Sequence, residues 1–534
     1  MLKLDQDQTK HLVTLHGWSG ISLGLLLYAV LVTGMVAVFA EEIAHWSAGI
    51  VKQDNPLVPV AGDATPLQDT IDRLAVGVDP EYMQEVALSR TTLGNLEVFF
   101  HKHQTNADGQ IEEIGTQFEI DPETGKVLSE RDGTGLSLFQ TDEDRALSRF
   151  LVSVHTELHL PRPWGLILTG ILGLAMMIAA VSGLLVHRHL IKDLFTLRKR
   201  GSQDVLAIKD AHTVAGSWGL PFAFVLAFTG SFFSFAGSIG LPLMAMVEFK
   251  GDQEAMFSAL IGSQAPEDAT PQRGAAVDTM LRDVKARTGQ VPDFVVVEHF
   301  RRADASANFF LPTREDGLTN DTLVYNGATG TFLKNKPPLG QEHSVGSGLF
   351  SLMGPLHFGH FLGVVSKAIW FALGFAMCYV SVTGIQMWFA RRERDMPALN
   401  WAFSLVTFGL PLALFGSAVG FFLAYGRGSA SFWTPVSFLI ASALVIGYGL
   451  WQRAPARLNA QLRLVTAYLC VTMVGLRLAT GGAGWLEALQ AGQPIIITID
   501  LLLLCAGATL WLRHRKAQLG LASAATPTPR EARA

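Results

Sequence analysis

Four histidines stand at the openings of four long apolar segments and form two matched pairs. His16-Gly17-Trp18-Ser19-Gly20 leads through apolar residues to Thr33-Gly34, and His212-Thr213-Val214-Ala215-Gly216 leads in the same way to Thr229-Gly230. In both, a glycine follows the histidine by four residues and the Thr-Gly pair lies at the same distance. The second pair is His155, ahead of Ser182-Gly183, and His357, ahead of Thr383-Gly384. An imidazole at the start of a membrane helix is costly unless it has a partner. A lone histidine there is more often a cap or an interfacial residue, but four in repeat-related positions point to bound metal, with haem as its form. There is no Cys-x-x-Cys-His, so the expectation is two b-type haems held by side chains alone. His159 follows His155 by four residues and His360 follows His357 by three, so either member of each couple can face a bundle. Aligning His159 with His357 also gives a shared Leu-His and a glycine six residues later.

The elements that must carry these side chains are membrane spans. Mean hydropathy is +0.31 and only 16% of residues are charged. Eight apolar runs, roughly 14–39, 160–187, 213–240, 359–389, 402–425, 432–451, 464–480 and 494–512, approach the length that crosses a bilayer. The Lys/Arg-rich connections, Arg188 to Arg200, Arg391 to Arg394, Arg453 to Arg463 and Arg513 to Lys516, all fall inside if the N-terminus is cytoplasmic. The acidic loops 41–150 and 241–355 then fall outside, and both termini are cytoplasmic. The first segment is too long for a cleaved signal peptide and lacks a small-residue cleavage site. The net charge of −5 comes with no basic stripe, so nucleic acid is not an expected partner. Cys378, Cys470 and Cys505 all lie in apolar segments and offer the outer loops no disulfide framework.

The fold expected is a polytopic α-helical membrane protein of eight transmembrane helices, with two small α+β domains inserted between helices one and two and between helices three and four. The divisions are 1–40, 41–150, 151–190, 191–211, 212–240, 241–355, 356–390, a four-helix extension 400–513, and a disordered tail 514–534. The unit of helix, outer domain and helix occurs twice, about 200 residues apart. Phe118-Glu119-Ile120-Asp121-Pro122-Glu123-Thr124-Gly125-Lys126-Val127 and Leu323-Val324-Tyr325-Asn326-Gly327-Ala328-Thr329-Gly330-Thr331-Phe332 both read as strand, Asp/Asn-initiated turn, strand. Leu96–Phe100 and Phe294–Val297 add further strands.

Other candidates take plainer readings. The Ser/Thr-Gly pairs serve helix packing. Arg477 and Asp500, ionisable and within apolar segments, form a salt bridge. Trp18, Trp164, Trp218 and Trp370 are interfacial anchors. His187 and His189 belong to a basic helix end. His45, His101, His103, His299 and His343 are solvated surface residues of the outer parts.

Together, the two His-x-x-x-Gly…Thr-Gly helices, the Asp-Pro-x-Thr-Gly-Lys-Val turn, Leu356-His357-Phe358-Gly359 and the late Ser/Thr-Gly pairs resemble the PepSY-associated transmembrane-helix family, the iron-regulated membrane proteins that include ferric-siderophore reductases. The resemblance covers about residues 8–395. It implies a bacterial inner-membrane protein with PepSY-like periplasmic domains and two b haems, passing electrons to a ferric chelate in the periplasm. It favours His155 and His357 over His159 and His360. Helices alternate in direction, so His16 and His212 share one membrane face and His155 and His357 the other, each pair opening its helices.

No flavin or nicotinamide fingerprint is visible, which leaves a quinol or a cytoplasmic reductant as donor. Fe(III) reduction weakens binding by hard oxygen ligands, which suits a ferric siderophore as acceptor. Two rival classes predict something else: a transporter predicts broken helices with polar midplane residues, and a haem-free PepSY-type binding or regulatory protein predicts a colourless chain.

Overall fold

The computed structural model describes residues 5–525 apart from 53–54, 59–65, 107–110, 187–194, 196–204, 263–265, 314–317 and 391–395. The basic stretches Arg188 to Arg200 and Arg391 to Arg394 lie, almost whole, outside the described residues, as do His187 and His189. Seven helices are long and apolar enough to cross a membrane, and a bent pair, Gln6–Ser22 with Gly24–Ala37, brings the number to eight.

Each half of the first 390 residues follows one plan, helices, then four strands, then helices ending in a long span, with different numbers of short helices. The first unit runs α1 (Gln6–Ser22), α2 (Gly24–Ala37), α3 (Ala40–Ala48), α4 (Leu67–Leu74), strands β1 (Glu85–Arg90), β2 (Leu96–Thr105), β3 (Ile111–Ile120) and β4 (Val127–Thr134), then α5 (Gly135–Thr141), α6 (Ala146–Glu157) and α7 (Trp164–Val186). The second runs α8 (Val205–Trp218), α9 (Leu220–Phe235), a π turn into α10 (Leu241–Glu248), α11 (Gln253–Leu260), α12 (Val277–Thr288), β5 (Phe294–Glu298), β6 (Ser306–Phe310), β7 (Thr322–Asn326), β8 (Phe332–Lys336), α13 (Val345–Phe358) and α14 (Gly363–Ala390).

Every one of the four histidines lies on a short helix that breaks before the next long one. His16 is on α1, which turns by 64° into α2. His212 is on α8, which ends where Gly219 and Pro221 open α9; the proline lacks the N–H a continuing helix would use. His155 and His357 do not start their membrane helices, as the sequence had suggested. They sit in the last turns of α6 and α13. The reason is local. Leu158 and His159 both have positive φ and prolines follow at 161 and 163, so the chain turns before α7. Gly359 (φ +70) ends α13 in the left-handed region, and a Cβ there would come within 2.9 Å of the Trp370 ring. Trp370 braces this turn, donating from Nε1 to Leu356 O at 3.0 Å. Trp18, Trp164 and Trp218 are exposed.

The outer parts were expected as two separate domains, but they share one sheet. Its order is β4-β3-β2-β1-β5-β6-β7-β8, and β1 and β5 pair antiparallel, Val86 opposite Val297 and Leu88 opposite Val295. One apolar core lies under both halves and includes Ile71, Val86, Phe100, Leu281, Phe309 and Tyr325. The halves also cap one another: Asp278 of α12 accepts from the N–H groups of Leu67 and Gln68 at the start of α4, each at 2.9 Å. Both hairpin turns form as their sequences predict. Asp121 Oδ1 accepts from Glu123 and Thr124, and Asn326 Oδ1 from Ala328 and Thr329, with Gly125 and Gly330 at positive φ.

Four long helices follow: α15 (Pro397–Ala424), α16 (Ala430–Trp451), α17 (Pro455–Ala479) and, after the short α18 (Trp485–Gln490), α19 (Pro494–Ala525). The last runs past residue 514, where the sequence had suggested a disordered tail, because Ala, Gln, Leu and Lys there favour helix. The salt bridge expected in this extension is present: Arg477 Nη2 lies 2.5 Å from Asp500 Oδ2, with both side chains fully buried. Trp46 and Trp485 also donate to Asp500, each at 2.8 Å, which satisfies the carboxylate.

Candidate functional site

The structure brings His16 to His212 and His155 to His357. The ring centres are 6.2 Å apart in both pairs. Two imidazoles on opposite sides of one metal, at about 2.0 Å per nitrogen, have ring centres roughly 6 Å apart. His159 and His360 are exposed and belong to neither pair: His159 packs on Phe150 and approaches Ser153, and His360 lies beside Phe358.

Each ring is seated on the glycine of a Ser/Thr-Gly pair of its own repeat unit, and three of the four also meet the hydroxyl of that pair. His16 of α1 meets Ser182-Gly183 of α7, and His155 of α6 meets Gly34 of α2, where the Thr33 hydroxyl turns to its own helix. His212 of α8 meets Thr383-Gly384 of α14, and His357 of α13 meets Thr229-Gly230 of α9. A Cβ on Gly34, Gly183, Gly230 or Gly384 would come within 2.6, 3.1, 3.1 or 3.2 Å of the Cε1 atom of its histidine. The four pairs were read from sequence as packing residues, yet they are the seats of the rings. The signal was available: there are as many pairs as histidines, at matched spacing.

The seats also fix the tautomers. His16 Nδ1 lies 3.0 Å from Ala179 O, His212 Nδ1 3.0 Å from Val380 O and His155 Nδ1 3.0 Å from Val30 O. A carbonyl can only accept, so each of these Nδ1 atoms carries the proton. His357 Nδ1 lies 2.9 Å from Thr229 Oγ1, whose own hydrogen goes to Val225 O at 2.7 Å, so this Nδ1 donates as well. In a neutral ring the lone pair is then on Nε2, the form in which a histidine ligates metal while its other nitrogen is held by a carbonyl or hydroxyl.

The residues present fit two haems, each of which would be held by one imidazole pair. The donor set is bis-imidazole at both levels, with the correct tautomers. There is open space beside the first pair: a Cβ on Gly20 would meet nothing within 4 Å, and one on Gly216 only Val380 at 3.8 Å. The two pairs lie at opposite ends of α7. Thr169 near its start donates to Thr156 O, next to His155, and Ser182 near its end holds His16. Thirteen residues of helix separate these anchor points, which is about 20 Å.

The sequence matches the PepSY-associated TM region over residues 13–391. The chain belongs to the PepSY-associated transmembrane family. It is also similar to an uncharacterized protein of Pseudomonas aeruginosa, 26% identical over 260 residues, a match that spans 45% of this chain and 63% of that relative. All four seated histidines fall within the PepSY-associated region. The helices α15 to α19 lie beyond it, and they pack on the helix that carries His155. Leu147, Phe150 and Val154 of α6 share a core with Trp46, Ala418, Phe421 and Ala430. Glu143, just before α6, accepts from the N–H groups of Ala430 (2.7 Å) and Ser431 (3.0 Å) and so caps α16.

Proposed function

We propose that this PepSY-associated membrane protein is a di-haem b oxidoreductase of a bacterial inner membrane. His16 and His212 would hold one haem, and His155 and His357 the other. The two haems would supply one-electron exchange between a quinol or a cytoplasmic reductant and a periplasmic ferric chelate, most simply a ferric siderophore, whose iron is released on reduction. The observation that carries this reading is the crossed pairing: each repeat unit seats one Nδ1-protonated histidine at each level, opposite its counterpart from the other unit.

The haem iron would supply one-electron exchange without proton bookkeeping. The chain's own residues do the rest. Ser182, Thr383, Thr229 and the carbonyls of Ala179, Val380 and Val30 hold the rings and keep Nε2 basic. Glycines 34, 183, 230 and 384 allow the rings to lie against their helices. Apolar side chains such as Leu27, Leu31, Met176, Phe222 and Met377 fill the space between levels and exclude water. On the sheet side, a polar cavity of about 260 Å³ is lined by Glu41, His45, Arg90, Arg145 and Ser148. Ser148 lies on the same helix as His155, seven residues or about 10 Å away. A hydrophilic acceptor can therefore come close to the second centre without entering the bilayer.

The test is an oxidised and dithionite-reduced absorption spectrum of the detergent-purified protein, with pyridine haemochrome quantification. A b-type spectrum at two haems per chain is expected, with His16→Ala and His357→Ala each removing one. A chain that stays colourless when haem is supplied during expression sinks this reading.

A further inference from the structure

Away from the two seated pairs, a third set of ligating side chains converges in the outer sheet. Glu85 of β1 and His101 and His103 of β2 bring one ligand atom each to within 4.8 Å of one another. Strand alternation puts both histidines on one face of β2, and the register sets Glu85 directly opposite His101. His101 Nε2 stands 3.5 Å from Glu85 Oε2, and His103 Nδ1 stands 3.9 Å from Glu85 Oε1. Both separations are longer than a good hydrogen bond. They are close to the roughly 3.4 Å between two ligand atoms that share a tetrahedral ion at about 2.0–2.1 Å.

The surroundings are those of a prepared site. His101, expected at the surface, is 2% exposed. Its ring stacks on Phe99 at 4.7 Å, and its Nδ1 faces Phe99 O at 3.4 Å, which turns Nε2 towards Glu85. Glu113 lies opposite His103 in the β2–β3 register and adds negative charge on the same side. The neighbouring basic side chains are engaged elsewhere, Lys102 with Glu81 and His299 with Asp304. His103 is only partly buried, so the cluster has an opening to solvent.

We propose that Glu85, His101 and His103 bind a divalent transition-metal ion, with a further coordination position open on the His103 side. Two imidazoles and one carboxylate select ions such as zinc or ferrous iron over calcium and magnesium, which prefer all-oxygen sets. Three protein ligands with an open position mark an exchangeable site, unlike the closed four-ligand sets of structural zinc.

Zinc is the probe that tests it. Full-length protein, stripped with a chelator and dialysed, is titrated with Zn²⁺ by calorimetry, and bound metal is counted by mass spectrometry. Glu85→Gln and His103→Ala, neither of which alters the membrane histidines, are compared with wild type. Each is expected to weaken the outer-sheet Zn²⁺ by at least about tenfold and to abolish its share of the zinc-dependent rise in melting temperature. Metal-free melting temperatures close to wild type show that the variants fold. Wild type that takes up no zinc at about 1 mM, or folded variants that bind it as wild type does, would overturn the proposal. The comparison reads the same way whether or not the membrane pairs hold haem.

Discussion

A methyl group on Gly34 would lie 2.6 Å from Cε1 of His155, the tightest of the four contacts between a glycine and a seated ring. The ring cannot retreat freely, because its Nδ1 is tied to Val30 O one turn earlier on the same helix. Gly34→Ala is expected to displace His155 and lower haem content from two per chain to about one, read by pyridine haemochrome. Gly230→Ala and Gly384→Ala meet their rings at 3.1 and 3.2 Å and are expected to keep both haems, with a shifted spectrum or potential.

The hydroxyls are not equivalent. Ser182 and Thr383 share the Nδ1 of their histidines with a backbone carbonyl, whereas Thr229 is the hydrogen-bond partner of His357 Nδ1. Thr229→Val is expected to loosen retention of the sheet-side haem by about tenfold or more, while Ser182→Ala changes retention little. Haem loss to an apoprotein acceptor, followed over time, distinguishes the two.

Removing one member of the buried Arg477–Asp500 pair strands the other. Arg477→Met leaves Asp500 with two indole donors but no compensating charge, and is expected to cost about 3–5 kcal/mol. The double variant Arg477→Met, Asp500→Leu should recover much of that. Melting temperatures in one detergent check this, and a double variant as unstable as the single would refute it.

Asp144, just outside the membrane helices, accepts a hydrogen bond from Tyr425 at 2.7 Å. Burial pushes its carboxyl up to about 6 from the usual 3.8, against the opposing pull of that bond. The folded chain thus prefers the protonated acid. This group's contribution is complete below about pH 4 and is lost as pH rises through about 6. Asp144→Asn keeps a neutral acceptor for Tyr425. It is expected to raise the melting temperature at pH 7.5, by no more than about 3 kcal/mol of stability, and to make no difference near pH 4.

Much of this was legible in the sequence, and the losses have physical causes. The spans show because twenty apolar residues have few other uses, and the four histidines show because their spacing repeats. The turns at Asp121 and Asn326 show because each local side chain makes the bend itself. The Ser/Thr-Gly pairs were visible, but a small residue beside a hydroxyl looks the same whether it meets a helix or an imidazole. The placement of His155 and His357 on separate short helices was hidden, since Leu158 and His159 give no sign of positive φ. The joining of β1 to β5, and the meeting of Glu85 with His101, depend on pairings between strands that no local pattern records.

The pairing of β1 with β5 has a bearing on what half of this region could do alone. A single unit of about two hundred residues would own one imidazole at each membrane level, with both of its seats, and a bare inner strand edge. Such a half-length chain would lack nothing that a second copy of itself could not provide. Two identical halves, related by a twofold axis through the middle of the sheet, would complete both bis-imidazole sites at once. The tandem chain holds that arrangement within one molecule, and among the described residues the cluster of Glu85, His101 and His103 belongs to the first half alone.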